Sequence, residues 1–257
     1  MASAITSSFN RYMEMVGDQV IFTGRFARNI FRGGFEWGEF VRQCFIVGYL
    51  SAGLVGITGF IIGFVMTLQT QPTLKDFGAE SYVPGMISIS IIREIGPVII
   101  ALICAGKVAS SIGAELGSMK VTEQIDAMEV SAANPVQYLV VTRILACTIM
   151  VPLLTIMADA LAMVGGWVGV NIQDNVSATL FFRKSFNALE FSDVVPSVVK
   201  TFFFGYAIGF VGCYKGYHSS RGTESVGRAA NSAVVSASLW IILIDAVAVQ
   251  ITNLIYY

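Results

Sequence analysis

Residues 136–170 read VQYLVVTRILACTIMVPLLTIMADALAMVGGWVGV, and how often this run crosses a membrane decides the architecture of the chain. A helix needs about 20 apolar residues, at about 1.5 Å each, to cross a hydrocarbon core about 30 Å thick. The run is too long for one upright crossing and carries Pro152 within it, so its residues alone allow one long helix or two. Four other apolar runs, residues 45–68, 85–112, 194–214 and 233–254, each suit a single crossing. Backbone polar groups find no water in lipid, so all of these read as helices rather than strands. Charge then settles the count. With one crossing at 136–170, the N-terminal arginines (Arg25, Arg28, Arg32, Arg42), Lys120, and the loop with Lys215, Arg221 and Arg228 share one side. That side is the cytoplasm by the positive-inside rule, and two crossings would separate the last loop from the rest. The expectation is an all-α membrane protein of about five spans, N-terminus in the cytoplasm and C-terminus outside, with Pro152 kinking the third span and its end projecting beyond the hydrocarbon.

Composition agrees. Of 257 residues, 55% are hydrophobic and 13% charged, against about 45–50% and about 25% in a soluble domain. A net charge of -1 says little about partners, and no nucleic-acid partner is expected. Cys44, Cys104, Cys147 and Cys213 stand singly in or beside apolar stretches, as small buried hydrophobes do, and residues 1–19 carry no sign of a cleaved leader.

Ahead of the first span, residues 20–45 interleave Phe22, Phe26, Phe31, Phe35, Trp37 and Phe40 with the four arginines. This pattern predicts an interfacial amphipathic helix, broken at Gly33 and Gly34, with its aromatics at the acyl boundary. Small residues recur every fourth position: Gly48, Ala52 and Gly56; Ala105, Ala109, Gly113 and Gly117; Ala158, Ala162 and Gly166; Gly205 and Gly209. Such stripes let helix backbones approach closely, so a tight bundle is expected. Residues 69–84, with Lys75, Asp76 and Glu80, read as a polar loop.

Catalytic chemistry finds little to work with. The only histidine, His218, lies in a basic loop, which removes the usual base for a Ser-His or Cys-His nucleophile and leaves no multi-histidine metal site. No catalytic residue, metal site or bound cofactor is expected. Residues 101–108, ALICAGKV, are superficially like a phosphate loop. Ala101 replaces its first glycine, Val108 its Ser/Thr, and the segment lies in an apolar helix, so Lys107 is no nucleotide lysine.

Ionisable residues inside spans point to function by default. Arg93 and Glu94 are adjacent in IIREIGPV, with Pro97 following, and adjacent helical residues point about 100° apart. Each therefore pairs with another helix or lines a polar cavity. Asp159 and Asp245 lie deep in the third and fifth runs and suit interhelical hydrogen bonds, while Lys107, Arg143 and Lys200 stand nearer span ends and are expected to snorkel. Between the second and third spans, residues 122–130 predict a short helix with Thr122 at its N-cap. Val121, Ile125 and Met128 space an apolar face and Glu123, Asp126 and Glu129 line another side. Such a helix fits a groove on a motor protein.

The stretch from residue 91 to 146, IIREIGPVIIALICAGKVASSIGAELGSMKVTEQIDAMEVSAANPVQYLVVTRILA, closely resembles the MlaE family of ABC-transporter permeases, which serve bacterial Mce-type lipid transport. GFVMTLQ (63–69) and GYHSSRGTESVGRAANSAVV (216–235) extend the similarity. The resemblance implies a homodimer, each copy with an N-terminal elbow (1–44) and a five-helix permease domain (45–257) in a bacterial inner membrane. It implies a cytoplasmic ABC ATPase dimer holding ATP and Mg, a periplasmic Mce-domain protein, often a hexamer, and a small STAS-type cytoplasmic subunit. Residues 122–130 match the coupling helix, giving Thr122, Glu123, Gln124, Asp126, Met128 and Glu129 as ATPase-coupling candidates. The motif RE-GP matches Arg93, Glu94, Gly96 and Pro97. A lipid cavity at the dimer interface, lined by the first, second and fifth helices, gives Arg93, Glu94, Leu68, Gln69, Pro97 and Leu243 as candidates. The competing expectation is an ion-coupled secondary transporter or channel using Asp159, Asp245 and Glu94; an intramembrane enzyme is a third. Secondary transporters usually carry internal repeats, and the second half of this chain does not repeat the first.

Overall fold

The computed structural model describes residues 17–30, 35–220 and 222–256, apart from the side chain of Gln173. The expected break at Gly33 and Gly34 lies outside the described residues, as do residues 1–16, Phe31, Arg32, Arg221 and Tyr257. Helix α1 covers residues 17–30. Five long apolar helices follow: α2 (Trp37–Asp76), α3 (Glu80–Val121), α5 (Val136–Ile172), α7 (Phe191–Tyr217) and α8 (Thr223–Tyr256). Two short helices, α4 (Gln124–Val130) and α6 (Ala178–Ala188), stand at opposite ends of the bundle. The run at 136–170 is one continuous helix with Pro152 inside it.

All five of these helices extend beyond their apolar runs. Helix α2 continues through residues 69–76, which the sequence reads as loop, before a turn at Gly78, whose φ of 67° favours a glycine. The extension is held from the side: Gln71 Nε2 donates to Asp174 Oδ2 at 2.7 Å and Lys75 Nζ to Asp174 Oδ1 at 3.2 Å. Helix α3 contains π-turns at Ile91–Ile95 and Ala105–Ala109. Pro97 lacks an N–H and its ring crowds the carbonyl four residues back, and a wide turn just before it lets the helix continue.

Helix α5 is the axis. Of its most apolar stretch 67% is buried, against 33% in α2 and 17% in α8. Backbones meet where side chains are missing. A Cβ on Gly59 would stand 2.5 Å from the Ala158 carbonyl oxygen, and one on Gly63 would run into that of Ala162, so α2 lies directly on α5. Gly205 and Gly209 seat α7 against Cys147 and Ile144 on another side of α5, and Gly113 fits Ala233 of α8. Cys104, Cys147 and Cys213 are buried free thiols within this packing.

Helix α1 packs along the bundle. Phe22 and Phe26 are buried on the bundle, Phe22 edge-on to Phe210 and Tyr214 and Phe26 edge-on to Tyr206, while Val20 and Ile21 point outward. Asn134 Nδ2 donates to Asn29 Oδ1 at 2.6 Å, tying α1 to the segment before α5. Helix α6, which no apolar run announces, starts at Ser177, whose Oγ accepts from Leu180 N. It inserts Phe181 fully into the bundle, and Ser185 Oγ bonds the Pro84 carbonyl.

Candidate functional site

Three helices bring ionisable groups together in the bundle half away from α4. Lys200 of α7 is 4% exposed and donates to Glu94 Oε2 of α3 at 2.6 Å and to Asp245 Oδ1 of α8 at 2.9 Å. Two turns toward the start of α7, Asp193 faces Arg93 Nη1 at 3.7 Å, and Arg93 Nη2 reaches Asn253 Oδ1 at 3.5 Å. Asp193 also closes a capping box with Glu190 at the start of α7, which fixes its carboxylate at the rim. Ser197 Oγ donates to the Ile92 carbonyl at 2.5 Å, inside the π-turn. In a single chain the cleft so formed is nearly closed, with 10 Å³ of free volume lined by Arg93, Glu94, Asp193, Lys200 and Thr252 among others.

The arrangement explains how charge survives at membrane depth. A lysine away from water is costly unless paired and hydrogen-bonded, and Lys200 gains a carboxylate from each of two helices. Arg93 and Lys200 face Glu94, Asp193 and Asp245, so anions outnumber cations by one when all are ionised. Both signs are presented within a few ångströms of each other.

Sequence reading found Arg93, Glu94 and Asp245 but not their partners. Lys200 and Arg143 do not snorkel. Arg143 is 2% exposed, donating to Glu115 Oε1 at 2.8 Å and to the Leu139 carbonyl at 2.9 Å. Both are closed in by neighbouring helices and paired there. Lys107 alone of the three is exposed, and it donates to the Leu50 carbonyl of α2. Asp193 and Lys200 stand seven residues apart on α7, two turns, and so share a face, but nothing local says which helices meet that face. Of the other candidates, Pro97 is buried behind the π-turn, while Gln69 and Leu243 face outward and Leu68 is half-buried; none lines the cleft of the single chain.

At the other end, α4 begins one residue later than expected and differently capped. Thr122 ends α3, its Oγ1 bonding the Ser118 carbonyl at 2.9 Å, and Glu123 takes the N-cap position in the left-handed region with φ 58°. Ile125 is fully buried and Met128 half-buried, so the apolar face is spent on the chain's own bundle. Glu123, Gln124, Asp126 and Glu129 remain exposed, with Val130 89% exposed beside them. Lys120 Nζ holds Asp126 Oδ1 at 2.6 Å, and Tyr217 Oη holds Glu129 Oε1 at 3.2 Å. Glu123, Asp126, Ser219 and Ser220 border a groove of 230 Å³.

Five apolar helices, with a charged cleft between α3, α7 and α8 and an exposed acidic face on α4 at the opposite end, define a polytopic membrane protein. Residues 40–251 match the family described as Permease MlaE, and the chain belongs to that family. It is 35% identical over 233 residues to a probable ABC transporter permease protein of Rickettsia typhi, covering 91% of this chain and 90% of that one. A probable ABC transporter permease protein of Synechocystis is 34% identical over 86% of this chain and 84% of its own. The intermembrane phospholipid transport system permease protein MlaE of Haemophilus influenzae is 33% identical over 80% and 79% respectively. The chain is thus a transmembrane permease subunit of an ABC-type transporter, in which ATP is hydrolysed by a separate subunit.

Proposed function

We propose that the chain moves phospholipid between the inner and outer membranes of a bacterial envelope, as the homodimeric permease of an Mce-type system. The observation that carries the reading is the cleft. Arg93 offers a planar fork for a phosphate, while Glu94 and Asp245 offer acceptors for an ammonium, so a zwitterionic headgroup can exchange for the ion pairs that hold the site closed. Acyl chains would lie on the outward apolar faces of α2 and α8, where Leu54, Ile57, Ile61, Leu239, Leu243 and Val247 are exposed in a single copy. Pairing two copies across α2 and α8 would cover those faces and enlarge the cleft into a shared cavity, placing Leu68, Gln69 and Leu243 on its wall.

In this reading α4 docks on a cytoplasmic ATPase dimer that carries ATP and Mg, the N-terminus is cytoplasmic and the C-terminus periplasmic. A periplasmic Mce-domain hexamer receives the lipid at the cleft end, and a small STAS-type subunit attends the ATPase. The test is photocrosslinking of phospholipid to the assembled complex carrying Arg93→Met. Crosslinking is expected to fall severalfold with assembly intact; unchanged crosslinking would return Arg93 to a purely structural role.

A further inference from the structure

Beside the charged cleft, and separated from it by Ser197, lies a second cavity of 480 Å³ between α3, α5, α7 and α6. That volume is typical of a small-ligand pocket, and offers room for one chain or ring system rather than a two-chain phospholipid. Ile92, Ile156, Met163, Phe182, Phe186 and Val198 furnish apolar walls. Its polar groups are three. Ser197 is committed to the Ile92 carbonyl and Glu190 to the capping box, which leaves Asp159. The Oδ1 of Asp159 is enclosed with no hydrogen-bond partner among the described residues, lodged so closely against Gly96 that a Cβ there would collide with it. The neighbouring cations are engaged elsewhere: Lys200 with Glu94 and Asp245, and Arg93 with Asp193 and Asn253. A carboxyl group enclosed among apolar side chains calls for a donor, and one of opposite charge satisfies it best.

We infer that this cavity binds a cationic amphiphile, with its ammonium at Asp159 and a single apolar body along Met163, Phe182 and Phe186. The site is distinct from the transport cleft, because Ser197 and the π-turn form the wall between them and the occupant carries no phosphate. Occupancy is nonetheless adjacent to the Ile92 carbonyl that Ser197 holds, two residues from Glu94.

The test uses the intact complex in nanodiscs without ATP and a dodecylammonium probe carrying a diazirine, with adducts located by mass spectrometry. Labelling is expected to saturate and to fall on α6 and on α5 near Met163. Dodecylammonium should compete about tenfold better than dodecanol, and dodecyl sulfonate should not compete. Asp159→Asn should erase the preference for ammonium over alcohol, and Ala160→Trp, which fills the cavity, should abolish labelling there altogether. Equal competition by alcohol and ammonium would make the cavity a plain hydrocarbon pocket occupied by lipid chains and overturn the inference, as would adducts confined to other helices. Should Asp159→Asn fail to assemble, the competition series on the unaltered complex decides the matter alone. Labelling is read without transport, so its failure and a failure of the proposed lipid movement are separate results.

Discussion

At Lys200 a cation 4% exposed is enclosed by carboxylates from α3 and α8, whereas around α4 the side chains of Glu123, Asp126 and Glu129 all face outward and only the apolar Ile125 is sealed in. The first set of charges is part of what holds three helices together. The second is free of that duty, because α4 is already anchored by its apolar face. The charges around Lys200 and the outward acids of α4 thus have different duties, and substitutions should separate them.

The largest effect is expected at Lys200. Lys200→Met leaves Glu94 and Asp245 without their cation, and breaking a buried pair from one side costs about 3–5 kcal/mol. Because Glu94 is 39% and Asp245 20% exposed, the lower end applies. Thermal unfolding in detergent and the yield of assembled protein measure it. Adding Glu94→Gln and Asp245→Asn should restore most of the stability and leave lipid crosslinking lost. A Lys200→Met chain as stable as the parent would erase the distinction between the two ends.

Next comes the reversal of Glu123 and Asp126 to lysine. Stability should stay within about 0.5 kcal/mol, since exposed pairs such as Lys120–Asp126 contribute little. Association with the ATPase subunit, measured by pull-down and by lipid-stimulated hydrolysis, should weaken about tenfold or more. Loss of folding without loss of association would show that α4's acids serve the bundle after all.

The smallest effect sharpens the comparison at an intermediate site, the clasp between α2 and the end of α5. The hydrogen bond from Gln71, and after it those from Lys75, hold the Asp174 carboxyl below its usual value of 3.8. A depressed value means the clasp contributes fully at neutral pH and is lost as pH falls below the usual carboxylate range. Asp174→Asn should lower the melting temperature slightly at pH 7, and the difference from the parent should vanish in acid. A difference that persists in acid would assign the effect to packing.

Much of the architecture was legible because a membrane forces it. Apolar length and the placement of Arg and Lys are local properties, and they yielded five helices and a third run that crosses once. The helix ends were less legible: α2 runs on to Asp76 because Asp174, 98 positions later than Asp76, supplies the polar partner beyond the apolar segment. Small-residue spacing named Ala158 and Ala162 correctly but passed over Gly59 and Gly63, which meet them. Spacing of four marks a smooth face, and it does not say which of several such faces on one helix is pressed against a neighbour. Likewise α4 was placed within a residue or two, while the direction of its apolar face was not, since an amphipathic helix looks the same whether it docks on its own chain or on a partner.

The sequence by itself determined that this is a five-helix membrane protein of the MlaE permease family, because hydrophobic length, charge asymmetry and the motif stretch from residue 91 to 146 are all carried by neighbouring residues. Only the tertiary structure decided that Lys200 joins Glu94 and Asp245, residues 106 and 45 positions away, that Arg143 is sealed against Glu115, and that Asp159 is left facing an apolar cavity. Those outcomes follow from which helix faces meet, and the meeting is set by missing side chains at Gly59, Gly63, Gly205 and Gly209 acting across the bundle. Interactions between residues that far apart in the chain leave no periodicity along it.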